Sequence, residues 1–193
     1  GAAIGQFEMP LALAVGAGKR AFFMTEKLAL DQRRRDRAAV DLDQRAIAPR
    51  AHIVGVELDP AGEVMPVLGS KEGIYHLMQA FLDPGDTILI PTPCYPAYFG
   101  AARLCEAEPV AIALREDRDF VLDFGDVDAD QARAARALIL NYPHNPTGAV
   151  ADLAHYRDAV AFAVDHDLLL ISDIPYSELA LDDFVPPSLL QVD

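Results

Sequence analysis

Cysteine is nearly absent from this chain. Cys94 and Cys105 are the whole complement, too few for a disulfide framework, and their spacing matches no metal motif. They read as small residues of a reducing, cytoplasmic compartment. The histidines are scattered too. His52, His76, His144, His155 and His166 form no HExxH pair and no Cys/His cluster, so no metal site is expected. Positive charge is scarce: 16 Lys and Arg stand against 30 Asp and Glu, for a net charge of −14. That balance argues against nucleic acid, which rewards basic patches, and against an anionic membrane surface. It says little about small anionic ligands, which need only a local site. No apolar run approaches the length of a membrane span. The apolar stretch Pro10 to Val15 has no basic residues before it, which argues against a signal peptide. Lysine is the last shortage: Lys19, Lys27 and Lys71 are the only three.

What is present describes a folded domain. Hydrophobic residues make up 52% of the 193 and charged residues 24%, a globular composition. The length suits one domain with a proper core and a small appendage. From Val64 onward, helical and strand patterns alternate. Ile74, Leu77, Met78 and Phe81 recur at helical spacing and predict an amphipathic helix that stops at Pro84 and Gly85. Short apolar runs at 87–91, 109–114, 137–143 and 168–176 predict strands. A helix over "YPAYFGAARLCEA" is expected to turn Tyr98, Ala102 and Cys105 to one side. Asp152 is placed to cap another helix reaching about Asp167, with Leu153, Tyr156, Val160, Ala163 and Val164 inward. A short helix is expected near the end of the acidic connection 115–134. Continuous apolar strands alternating with helices mean a mostly parallel sheet covered on both faces, a three-layer α/β/α sandwich.

The first fifty residues are read as a helical, divergent segment, on the patchy inner face that Leu28, Leu42 and Ile47 would offer. "RRRDR" (33–37) is read as a solvated helix face. "VGAGKR" (15–20) has neither the Walker spacing nor the GxGxxG spacing, which weighs against a nucleotide-binding Rossmann module.

Four short stretches carry the candidate chemistry. "LGSKEG" (68–73) is a small turn that opens a helix, and the N–H groups of such a turn suit a phosphate; an ordinary Ser N-cap is the competing reading. "PTPCYPAY" (91–98) leaves a strand with Tyr95 held between prolines, able to lie flat on a planar ligand or simply to pack. "NYPHNPTG" (141–148) leaves a core strand through a rigid turn. It places the Asn145 amide, and Asn145–Pro146 is a candidate cis bond. "SDIPYSE" (172–178) puts Asp173 at the end of an apolar strand, where an unpaired carboxylate is costly, with Tyr176 three residues on. Ligands of such sheets bind beyond the carboxyl ends of the strands, and these turns lie there. A phosphate cradle, an aromatic plate, an amide donor and a carboxylate with a phenol together describe a site for pyridoxal 5′-phosphate.

The stretches "GSKEGI", "LDPGDTILIPTPCYPAY", "LNYPHNPTGAV" and "ISDIPYSELAL" resemble the fold-type I, class I and II aminotransferases in wording, order and spacing, over roughly Val54 to Asp193. "VELDPAGEVMPVLGSKEG" and "SDIPYSELALDDFVPPSLLQV" look most like the branch of LL-diaminopimelate and related aspartate or alanine aminotransferases. The resemblance implies that Ser70 and Lys71 approach the cofactor phosphate, Tyr95 stacks on its ring, Asn145 and Tyr176 contact the ring 3-oxygen, and Asp173 pairs with the ring nitrogen. His144 and Thr147 are read as turn structure. It also implies amino acid and 2-oxo acid substrates and a homodimer.

The same resemblance marks what is not seen. The family's lysine, which bonds to the cofactor and moves the proton, is expected in a Ser-x-Ser-Lys stretch after the SDxxY strand, and the sequence stops short of it. The small C-terminal domain is not seen either. The expected organisation is therefore a divergent segment over 1–50 and a partial cofactor-binding large domain over 51–193. Catalysis is expected to be silent or nearly so in this chain alone. A non-catalytic binding or interaction module, and one half of a split aminotransferase, are the alternative readings.

Overall fold

The structure, a computed structural model, describes residues 11–15, 21–25, 51–53, 56–58, 64–67, 69–179 and 184–192. The chain order is β1 (Leu11–Val15), β2 (Ala21–Thr25), β3 (Ala51–Ile53), β4 (Val56–Leu58), β5 (Val64–Val67), α1 (Ser70–Phe81), β6 (Thr87–Thr92), α2 (Ala97–Leu104), β7 (Glu108–Ala113), α3 (Ala129–Ala134), β8 (Ala135–Asn141), α4 (Leu153–Asp165) and β9 (Leu169–Asp173), with short 3₁₀ turns between and after these elements. Strands β3 and β4 form a separate antiparallel pair. The other seven form one sheet in the order β5-β1-β2-β9-β8-β6-β7. Five neighbours, β2, β9, β8, β6 and β7, run parallel, and β1 lies antiparallel to both β2 and β5.

The strand sequences explain the layers. Side chains alternate faces along a strand. Ile88, Ile90, Ala137, Ile139, Leu169 and Ile171 therefore share one face and pack with Ile74, Leu77 and Met78 of α1 and Tyr98, Ala101 and Ala102 of α2. Leu89, Leu138, Leu140, Leu168 and Leu170 belong to the opposite cluster, with Ala132 of α3 and Tyr156, Ala159 and Ala163 of α4. Helices on both faces of a mostly parallel sheet are the expected α/β/α sandwich. Both faces are covered, so the central strands are apolar throughout rather than alternating. All five residues of β9 are buried.

Three expected positions shift. Phe81 is 41% exposed and Val164 is 73% exposed: Phe81 ends its helix, and in the last turn of α4 it is Ala163, not Val164, that faces the core. Cys105 lies past the end of α2, at its C-cap. The larger correction concerns residues 11–15 and 21–25, inside the segment 1–50 read from the sequence as helical. The structure places strands at Leu11–Val15 and Ala21–Thr25. Both are five-residue apolar runs, "LALAV" and "AFFMT", and periodicity alone does not separate a short buried strand from a helix segment. The stretches 16–20 and 26–50, with most of "VGAGKR" and all of "RRRDR", lie outside the described residues.

Candidate cofactor site

Parallel strands β6, β8 and β9 all deliver their carboxyl ends to one edge, and α1 starts there too. The cavity at this edge has a volume of about 130 Å³ and is lined by Ser70, Tyr95, Tyr98, Asn141, Asn145, Asp173, Pro175 and Tyr176. Five of the six residues singled out in the sequence thus meet in one place.

Asp173 ends β9 and is 1% exposed. A carboxylate this deep needs hydrogen bonds or opposite charge to stay ionised. The Tyr98 hydroxyl, on α2, donates to its Oδ2 at 2.7 Å. Burial pushes the Tyr98 phenol far above its ordinary range, and the adjacent Asp173 carboxylate pushes it further. Tyr98 therefore stays a proton donor at any physiological pH. The backbone of Asp173 is tied as well: Asn141, at the end of neighbouring β8, donates from Nδ2 to the Asp173 carbonyl at 2.7 Å.

Asn141 also shapes the next turn. Its Oδ1 accepts from the Asn145 backbone N–H at 2.8 Å. His144 and Thr147 close the turn from within, with His144 Nδ1 2.7 Å from Thr147 Oγ1. The Gly148 N–H donates to the His144 carbonyl, and the His144 N–H to the Ala149 carbonyl, both at 2.8 Å. These two residues are turn structure, as expected. Asn145–Pro146 is cis, as are Thr92–Pro93 and Tyr142–Pro143. The turn presents the Asn145 amide to the cavity, where Nδ2 donates to the Tyr176 hydroxyl at 3.1 Å. With its oxygen accepting from Asn145, that hydroxyl is left to donate its own proton onward.

The opposite wall is aromatic. Tyr95 meets Tyr98 edge-on, with ring centroids 5.7 Å apart at 87°. The helix start lies beside it. The N-cap of α1 is Gly69, at φ +90°, with no side-chain cap, a conformation that favours glycine. Ser70 is the first helical residue rather than the cap. The N–H groups of Ser70 and Lys71 therefore receive no side-chain acceptor, the condition under which a helix start takes an anion. Lys71 is the sixth predicted residue and does not line the cavity. It is exposed, and its Nζ lies 5.9 Å from the Tyr95 ring centroid, within cation–π range.

Two residues of this network, Tyr98 and Asn141, escape a sequence reading. Tyr98 falls on the buried stripe of an amphipathic helix and reads as core. Asn141 reads as the polar stop of an apolar strand. The available signal was the polar tip each carries into a buried position, where a partner is required.

The family model for class I and II aminotransferases matches residues 39–193. The chain belongs to this family. Aminotransferases of this class depend on pyridoxal 5′-phosphate. Among the relatives, an LL-diaminopimelate aminotransferase of Dehalococcoides mccartyi is 45% identical over 139 residues, which cover 72% of this chain and 36% of that protein. Among solved structures, substrate-bound BacF of Bacillus subtilis superposes with a TM-score of 0.68 at 39% identity, covering 72% of this chain and 35% of that one. A probable N-succinyldiaminopimelate aminotransferase of Thermus thermophilus follows at 0.66 and 42%, covering 71% and 37%. The chain thus spans little more than a third of the length of the aminotransferases it matches.

The residues present fit the family's cofactor. A protonated pyridine ring needs a buried carboxylate to face it, and Asp173 supplies one. A ring oxygen needs donors, and the Tyr176 hydroxyl and Asn145 amide converge. A phosphate needs free N–H groups, and α1 starts at the cavity wall. Among the described residues no helix is long and apolar enough to cross a membrane, and no group of His, Cys, Asp and Glu is placed to hold a metal ion.

Proposed function

We propose that this chain holds pyridoxal 5′-phosphate in the cavity at the carboxyl ends of β6, β8 and β9. It would do so as part of an aminotransferase that moves an amino group between an amino acid and a 2-oxo acid. One observation carries the reading: Asp173 is buried, receives a hydrogen bond from Tyr98, and shares its cavity with Asn145, Tyr176, Tyr95 and Ser70. The cofactor, when bound, supplies an electron sink for the substrate's bonding electrons. The protein residues do the rest. Asp173 faces the ring nitrogen and keeps its proton in place. Asn145 and Tyr176 donate to the ring oxygen, Tyr95 covers the ring, and the start of α1 at Ser70 and Lys71 takes the phosphate.

Turnover by this chain alone is expected to be silent or nearly so. No described lysine lines the cavity, and Lys71 points its ammonium over Tyr95. The names of the relatives make diaminopimelate-type amino acids the first donors to try. A homodimer is part of the proposal.

The test is an absorbance titration of the purified chain with pyridoxal 5′-phosphate, followed by borohydride reduction and intact-mass measurement. Saturable binding that Asp173→Ala abolishes, with the circular dichroism of the variant unchanged, is the expected result. Equal affinity of Asp173→Ala and the parent would sink the site assignment. A reducible adduct on one lysine would show an amine within reach and overturn the expectation of silence.

A further inference from the structure

We propose that Asn141 is a positioning residue of the cofactor site, a single side-chain amide that sets the separation between Asp173 and Asn145. The role rests on the cofactor reading given above. Asn141 ends β8 and stands beside Asp173 in the register of β9. It is buried, and both ends of its amide are engaged. Nδ2 donates to the Asp173 carbonyl at 2.7 Å, and Oδ1 accepts from the Asn145 N–H at 2.8 Å. Both partners are main-chain groups. One belongs to the residue that faces the ring nitrogen, the other to a residue that donates to the ring oxygen.

The pattern fixes which way the amide points. A carbonyl takes only a donor and an N–H gives only to an acceptor, so turning the amide over would set oxygen against oxygen and N–H against N–H. Local sequence explains why a side chain does this work. Strand β8 stops at Asn141, and Pro143 soon after it has no N–H with which to continue the ladder. The Asp173 carbonyl takes a donor from the Asn141 side chain instead. The Asn145 N–H meets a matching shortage. In its turn the His144 N–H goes to the Ala149 carbonyl, and the Gly148 N–H takes the His144 carbonyl. The Asn141 oxygen supplies the acceptor that the Asn145 N–H needs.

The division of labour is then clear. Tyr98 holds the Asp173 side chain and Tyr176 meets the Asn145 side chain, whereas Asn141 holds the two backbones. A rigid ring offers its nitrogen and oxygen at one fixed spacing, and partners must match such a spacing to within about 0.5 Å. Asn141 lines the cavity but acts through these two residues.

The test titrates the unmodified chain and Asn141→Ala with two probes, pyridoxal 5′-phosphate and its 3-deoxy analogue, which lacks the ring oxygen. The unmodified chain should hold the first about tenfold more tightly, the worth of a good hydrogen bond. In Asn141→Ala, with circular dichroism unchanged, that ratio should shrink to near unity, because the Asn145 amide is no longer set for the oxygen. A merely destabilised site weakens both probes alike, so a ratio left at its original value overturns the proposal. An unmodified chain that binds neither probe sinks the cofactor reading and this role with it, a result distinct from binding with an unmoved ratio. If Asn141→Ala does not fold, amide exchange in the unmodified chain, followed by NMR, decides. The Asn145 N–H should exchange at least about tenfold more slowly than in an unstructured peptide, and exchange at the peptide rate overturns the proposal.

Discussion

A carboxylate buried to 1% exposure is only as stable as the donors around it, and at Asp173 the Tyr98 hydroxyl is one of them. Removing that hydroxyl takes this hydrogen bond from Oδ2 of a carboxylate buried to 1%. Tyr98→Phe should lower the unfolding free energy by about 1–3 kcal/mol, the usual cost of a lost hydrogen bond to a buried charged group, as read by urea titration at pH 7. An unchanged midpoint would mean the bond is not formed in solution. Histidine gives a second residue-scale prediction. His155 is buried against Phe124 and Tyr142, and its Nε2 has no hydrogen-bond partner among the described residues. Burial lowers its pKa below the ordinary 6.5, against the opposing charges of Asp152 and Asp158. His144 shifts in the same direction, also through burial. A group with a depressed folded pKa takes up its proton first in the unfolded chain. The stability it protects is therefore full above pH 6.5 and declines as pH falls below that value, until the folded form is protonated too. His155→Phe should flatten the stability profile between pH 6.5 and 5, and a profile of unchanged slope would count against this account.

Elements here are held by local signals that the sequence carries openly and by pairings that it does not. Helix α4 starts at Asp152, whose Oδ1 accepts from the His155 N–H at 2.8 Å. Asp152→Ala should cost about 1 kcal/mol by thermal or urea unfolding, the typical value of an N-cap, and Asp152→Asn should recover most of it. Strand β8 owes its place to burial. Ile139 is 1% exposed between α1, α2 and the neighbouring strands, and Ile139→Ala should cost about 2–5 kcal/mol. The cap, the helix stop at Pro84 and Gly85 and the apolar strand runs were all legible, because each depends on residues close in sequence. At 11–15 and 21–25 the helical reading failed for the complementary reason. Strands β1 and β2 are five residues each, too short for periodicity to distinguish. Their stabilising partners, β5 and β9, lie some 50 and 150 positions away along the chain.

The molecule as a whole is acidic, at net −14, and its described residues form a seven-stranded sheet with helices on both faces and a separate two-stranded pair. Under the proposed homodimer, sedimentation equilibrium at physiological salt should give a mass twice the 20.9 kDa of the chain. A monomer across the micromolar range would remove the dimer from the proposal and leave the site intact. The aminotransferases it matches are about twice as long, and the matched stretch covers 36% of the first of them. Assays of the whole activity therefore belong with measurements of cofactor binding rather than in place of them.

The sequence by itself determined which runs are apolar strands and which turns follow them, while two strands end earlier than expected, at Asn141 and Asp173. These are local consequences of residue type: proline and glycine punctuate, alternation selects a face, and Asp173, Asn145 and Tyr176 sit on the turns that an α/β sheet turns toward its ligand. Only the tertiary structure decided that Tyr98 reaches Asp173 across 75 positions and that Asn141 ties β8 to β9 across 32. It alone placed β1 and β2 inside the sheet. Such pairings depend on backbone register and on which edges remain open once the other strands have found partners, and no stretch of neighbouring residues carries that information.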